Sequence, residues 1–100
     1  LNVLKMKDIL YAEILGRELK ILTTDGSQLY TMPMRELESL LPAGHFFRCH
    51  KSYLVNFHHI LNVDGADILL SNQQKIPISK HRRKEFMQAF VSYIGGHSGS

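Results

Sequence analysis

The sequence predicts a mainly β domain with two short helices, and three observations carry that reading. Short apolar segments alternate with single polar residues, and turn-forming pairs such as Asp25-Gly26 and Asp64-Gly65 separate them. Only two stretches switch to a helical period, one near position 37 and one near position 87. The chain has 100 residues, 44% of them hydrophobic, which is enough for one domain with a modest core.

Taken in order, Asp8 to Ile14 is the first strand, broken near Gly16-Arg17. Leu19 to Thr23 follows, with Leu19 and Ile21 alternating against Lys20, and Asp25-Gly26 marks a hairpin into Gln28 to Met32. Pro33 then suits the first turn of a helix. Its Met34, Leu37, Leu40 and Leu41 share one face, and Pro42 stops it. Phe46 to about His50 is a strand, a break falls near Lys51-Ser52, and Tyr53 to Val55 resumes. Ile60 to Asp64, Ile68 to Leu70 and Lys75 to Ile78 complete the strands, with turns at Asp64-Gly65 and Asn72-Gln73. The final helix runs from about Lys80 to Ile94, with Phe86, Met87, Phe90, Val91 and Ile94 on its apolar side. Ser79 is its N-cap and Gly95 its stop. One folded domain therefore spans residues 1–94, and residues 95–100 read as a flexible tail. No internal repeat is visible.

Charge is unevenly distributed. From Leu1 to Ala43 there are five Lys/Arg and six Asp/Glu, a net of −1, while from Gly44 onward there are seven and three, a net of +4. No acid lies between Glu38 and Asp64, a stretch that holds Arg48, Lys51 and four histidines. Cations placed on a strand without acidic neighbours are ready for an anion from outside, and a nucleic-acid backbone fits best. The run Lys80-His81-Arg82-Arg83-Lys84 opens the last helix, where the helix dipole already disfavours cations by roughly 0.3–1 kcal/mol each. A solvated face would explain such a run; its coincidence with helix-start N–H groups favours phosphate contact.

These residues resemble a known family. Asp8-Ile9-Leu10-Tyr11-Ala12-Glu13, Leu22-Thr23-Thr24-Asp25-Gly26, Glu38-Ser39-Leu40-Leu41-Pro42 and Ile76-Pro77-Ile78-Ser79-Lys80 contribute. Phe47-Arg48-Cys49-His50-Lys51-Ser52-Tyr53-Leu54-Val55-Asn56 contributes most. Across roughly Ile9 to Phe90 the chain is similar to LytTR-type DNA-binding domains, the output modules of many bacterial response regulators. The resemblance implies elongated antiparallel β-sheets with short helices, whose loops enter successive grooves on one face of double-stranded DNA. It also implies an N-terminal regulatory partner, most often a receiver domain, and dimerisation on paired DNA repeats. The chain begins at Leu1 rather than Met, so a fragment of a longer protein is expected.

Three segments match the DNA-contacting regions that the resemblance implies. They are the turn holding Arg17, the strand end His50-Lys51-Ser52, and Lys80-His81-Arg82-Arg83. Many family members carry arginine at the positions of Lys51 and Lys80. Lysine supplies charge without the bidentate fork that reads guanine. Lys51 is therefore expected to grip phosphate, and His50 and the 80–83 segment to reach base edges.

Other readings compete for some residues. Cys49 alternates with Phe47 and is expected to pack inside, with a regulatory thiol as the alternative. His45, His50, His58 and His59 with Cys49 superficially suggest a metal cluster, but adjacent strand positions face opposite ways, so no metal is expected. Tyr53 and Asn56 read as core packing and a turn-stabilising amide, and Arg48 could pair with Glu13 or Glu38. No catalytic constellation or phosphate-binding Gly loop is present, so neither enzyme nor cofactor is expected. The alternative to DNA is a small β-module binding an acidic protein or peptide through the same cations. A single cysteine and no membrane-length apolar run fit a cytoplasmic protein.

Overall fold

In the computed structural model, which describes residues 5–97, eight strands form two antiparallel sheets. The five-stranded sheet comprises β1 (Ile9–Leu15), β2 (Glu18–Thr23), β3 (Gly26–Tyr30), β4 (Phe46–His50) and β5 (Tyr53–Asn56), in the order β3-β2-β1-β5-β4. The three-stranded sheet comprises β6 (Ile60–Asp64), β7 (Asp67–Leu70) and β8 (Lys75–Pro77), with β7 central. Helix α1 (Met34–Leu40) links β3 to β4, and α2 (Arg83–His97) closes the chain after a 3-10 turn at Lys80–Arg82. The fold is moderately elongated, measuring 37 × 31 × 25 Å.

The middle strands β1 and β5 are apolar on both faces, because each face is covered. Ile9, Ala12 and Leu54 join Leu19 and Ile21 of β2 beneath Met34 and Leu37 of α1. On the other face Leu10, Tyr11 and Val55 meet Ile68 and Leu70 of β7, Ile76 of β8 and Phe86 of α2. Leu10 and Tyr11 share a face although they are consecutive. A register irregularity between Ile9 and Tyr11 breaks the period-two alternation there. Phe47, Phe57, Phe86 and Phe90 then form an aromatic stack between β4 and α2, with centroids 5.5–6.3 Å apart.

The strands are joined by tight turns of two kinds. Gly16 and Gly65 each open a two-residue hairpin loop at φ +60° and +62°, a conformation that side chains disfavour. The β4–β5 turn, Lys51-Ser52, is equally short and contains no glycine.

Both helices depart from the sequence expectation. Leu40 is exposed, because α1 turns only Met34 and Leu37 fully inward and Leu41 packs from beyond its end. On α2, Val91 and Ile94 point to solvent at 62% and 45% exposure, and Ala89 and Tyr93 take the inward places beside Phe86, Met87 and Phe90. Gly95 does not end the helix, which continues to His97. A glycine stops a helix when it turns left-handed, and neither Gly95 nor Gly96 has a positive φ. Of the expected flexible tail, residues 95–97 are thus helical and residues 98–100 lie outside the described residues. Ser79 sits at the N-cap of the 3-10 turn, but its side chain makes no capping bond.

Candidate nucleic-acid interface

The β4–β5 turn is held by side chains from its own strand. Opposite Leu54, β4 carries two residues, Arg48 and Cys49, where regular pairing would place one. This irregularity turns Arg48 toward the turn, where its Nη2 donates to the Lys51 carbonyl at 2.6 Å. His50 completes the brace, its Nδ1 accepting from the Ser52 N–H at 3.1 Å. That bond requires a bare Nδ1, so the proton of the imidazole sits on Nε2. His50 also meets the Tyr53 ring edge-on at 5.5 Å. Lys51 stands exposed at the tip, its backbone fixed and its ammonium unengaged by any hydrogen bond or ion pair among the described residues.

The other two predicted segments converge on this turn. Ile14 N–H donates to the Ser52 carbonyl at 2.9 Å, so the Gly16-Arg17 turn flanks Lys51-Ser52 at one end of the sheet. From the far end of the chain, the Ser79 N–H donates to the Cys49 carbonyl at 2.8 Å, and Arg82 Nη1 donates to the Arg48 carbonyl at 3.1 Å. The irregular segment of β4 is thus the junction at which the basic 80–83 segment meets the basic turn. Segments remote in sequence come together there.

The site residues then divide. The side chains of Arg17, Lys51, Lys80, His81 and Arg83 are exposed and have no hydrogen bond or ion pair among the described residues. Arg82 is half-buried and bonded to Arg48, while Ser52 is half-buried with its backbone in the turn network. Arg48 pairs with Glu38 of α1 at 4.0 Å, one of its two expected partners, while its Nε is buried without an acceptor. Glu13, the other, accepts from the Tyr53 hydroxyl at 3.0 Å and faces Lys20 at 4.0 Å. The doubled residue in β4 was not anticipated from the sequence, because no residue type announces it.

Two groups near the site titrate away from their usual values. Burial pushes the Cys49 thiol up to about 12, against smaller lowering effects of a backbone hydrogen bond and the Arg82 charge. Cys49 is fully buried, with Sγ 3.5 Å from the Pro77 carbonyl, so it packs inside as an un-ionised thiol. Burial, then the hydrogen bond and charge of Glu13, push the Tyr53 hydroxyl up to about 12. Asn56 is buried, donating to the Ile9 and Met6 carbonyls and accepting from the His58 N–H. The remaining histidines are elsewhere: His45 lies edge-on to Tyr93, and the His59 ring contacts the Lys7 carbonyl and Ser71 hydroxyl.

Comparison with known proteins bears on the family and the fold. A family model described as the LytTr DNA-binding domain matches residues 1–91. The chain is 34% identical over 92 residues to the transcriptional regulatory protein YpdB of Escherichia coli K12, covering 86% of this chain and 38% of YpdB. It is 28% identical over 93 residues to the transcriptional regulatory protein BtsR of the same organism, covering 87% of this chain and 38% of BtsR. Over 60 residues it is 35% identical to the transcriptional regulatory protein NatR of Bacillus subtilis, covering 60% of this chain and 26% of NatR. The chain therefore spans well under half the length of these relatives. A solved LytTr DNA-binding domain from Bacillus cereus has the same fold, with a TM-score of 0.79 at 23% identity, covering 86% of this chain and 84% of that one.

Proposed function

Since the chain belongs to the LytTr DNA-binding domain family, we propose that residues 1–94 bind specific sequences of double-stranded DNA as the output domain of a bacterial transcriptional regulator. The single observation that supports the contact surface is convergence. Three segments remote in sequence meet at one end of the five-stranded sheet, and their exposed cations have no internal partner among the described residues.

The roles follow from what each side chain already does. Arg17, Lys51, Lys80 and Arg83 grip phosphates as charges. His50 offers Nε2–H to an acceptor on a base edge, because Ser52 holds its other nitrogen. His81, exposed on the 80–83 segment, is the second candidate reader, Ser52 supports the turn, and Arg82 anchors that segment. An N-terminal regulatory partner such as a receiver domain, and two copies on paired DNA repeats, belong to this reading, and the relatives, regulators more than twice this chain's length, leave room for a further domain. Among the described residues, no helix is long and apolar enough to cross a membrane.

Selection from a pool of random duplexes tests the class, and recovery of a repeated motif is the expected result. Binding to that motif should weaken with salt at a log–log slope of about −4 to −5, as for roughly five phosphates. Lys51→Ala should weaken specific and nonspecific duplexes alike, whereas His50→Ala should cost the motif about 1–3 kcal/mol more than nonspecific DNA. An acidic peptide that competes as well as the selected duplex would replace this reading.

A further inference from the structure

One charged feature extends beyond the three segments. Between the β1–β2 turn and the start of α1 runs a groove of about 540 Å³, to which Arg17, Arg35 and Arg48 contribute from three different elements. Ile14 and Met32 form part of its apolar lining, and Glu18 is its one carboxylate. Arg17 and Arg35 are exposed and, among the described residues, have no hydrogen bond or ion pair. Arg48 lines the same groove, with Nε buried and unaccepted even though Glu38 and the Lys51 carbonyl engage its terminal nitrogens. The groove thus carries three guanidiniums against one acid, and internal groups answer only one of the three.

We propose that this groove seats a backbone phosphate of the bound duplex, with Arg35 as a further DNA-contacting residue opposite Arg17. The inference rests on the DNA-binding reading and extends its surface from the sheet end to the β3–α1 junction. Two features favour a duplex backbone over a free anion. Arg17 belongs to both the groove and the turn flanking Lys51, so a strand gripped at Lys51 continues into the groove. The Ile14 and Met32 surfaces suit deoxyribose beside the phosphate, which a free inorganic anion would leave bare. Glu18 stands at the phosphate's edge, so neutralising it should tighten binding. Guanidinium is suited to this task because its planar fork pairs with two phosphate oxygens at once.

The test compares wild type, Arg35→Ala, Arg35→Lys and Lys51→Ala on the selected duplex and on a nonspecific one. Arg35→Ala should make the salt slope less negative by about 0.9, the value of one phosphate, and weaken both duplexes equally. Arg35→Lys should restore the slope, since the charge remains. Ethylation interference should show one phosphate whose modification impairs wild type more strongly than it impairs Arg35→Ala, where Arg17 still faces it. The Arg35 side chain makes no bonds among the described residues, so its variants should keep the wild-type melting temperature. Arg35→Gln repeats the measurement if Arg35→Ala melts early. An unchanged slope in Arg35→Ala alongside a reduced slope in Lys51→Ala would overturn this inference and leave the DNA-binding reading intact. If neither wild type nor Lys51→Ala shows a salt-dependent interaction with DNA, the underlying reading fails with it.

Discussion

Arg48 and Arg82 differ from Arg17 and Arg83 in what they touch, although all four have the same chemistry. The first pair forms an inner brace: Arg48 holds the Lys51 carbonyl and faces Glu38, and Arg82 holds the Arg48 carbonyl. The second pair forms an outer rim with no internal partner among the described residues. The difference teaches that a basic cluster can contain both the contact surface and its scaffold. A charge whose hydrogen bonds end on main-chain carbonyls fixes backbone geometry. A charge without them keeps its affinity for an external anion.

Removing the rim should give the largest effect on binding and almost none on folding. The triple variant Arg17→Ala/Lys51→Ala/Arg83→Ala should lose about two orders of magnitude in DNA affinity at moderate salt. Its salt slope should weaken by roughly 2 to 3, because about 0.9 is lost per phosphate. Its stability to urea should stay within about 1.5 kcal/mol of wild type, since substitutions of unbonded surface groups are typically within ±0.5 kcal/mol each. A large loss of stability would show that the rim is also scaffold and would erase the distinction.

A matched pair within one turn sharpens the comparison. Arg82→Ala deletes a charge-assisted hydrogen bond to a carbonyl and should cost about 1–2 kcal/mol of stability. In a domain of this size that lowers the melting temperature by roughly 4–8 °C per kcal/mol. Its DNA affinity should fall on all sequences together, because the 80–83 segment loses its tie to β4. Arg83→Ala should weaken binding at an unchanged melting temperature. Should Arg82→Ala instead melt like wild type and lose only the selected motif, Arg82 is a base reader and the brace ends at Arg48.

The brace also marks where the sequence was legible and where it was not. The span Phe46–His50 and the break at Lys51-Ser52 followed from local signals, as did the break near Gly16-Arg17 and the turn at Asp64-Gly65, since turn chemistry depends on neighbours in the chain. Buried Cys49 followed from its alternation with Phe47 along the strand. The pairing of Arg48 with Glu38 was visible only as one of two choices, because the intervening helix end and turn decide which acid comes near. Arg82's inward bond was invisible, since it joins positions 82 and 48 through the packing of α2 on β4. The apolar face of α2 was misjudged for the same reason. Val91 and Ile94 are as hydrophobic as Tyr93 and Ala89, and only the position of the sheet determines which pair is covered.

Tyr53 lies beneath His50, between brace and rim, and provides the smallest effect. Its hydroxyl donates to Glu13, so Tyr53→Phe should cost about 0.5–1.5 kcal/mol at pH 8 and change DNA affinity by less than about twofold. The pH dependence tests the cause. Tyr53 is neutral when protonated, and burial together with Glu13 raises its folded pKa to about 12 from an ordinary value of 10.0. The stabilisation is therefore fully present below pH 10 and is lost as pH rises through about 12, where a phenolate would face the Glu13 carboxylate. Lysines titrate over the same range, but equally in wild type and variant, so the difference between the two isolates Tyr53. Urea unfolding at steps from pH 8 to 12 should show the advantage of wild type over Tyr53→Phe narrowing above pH 10. A constant gap across that range would mean that the hydroxyl is not held against Glu13, and that His50 rests on Tyr53 through ring contact alone.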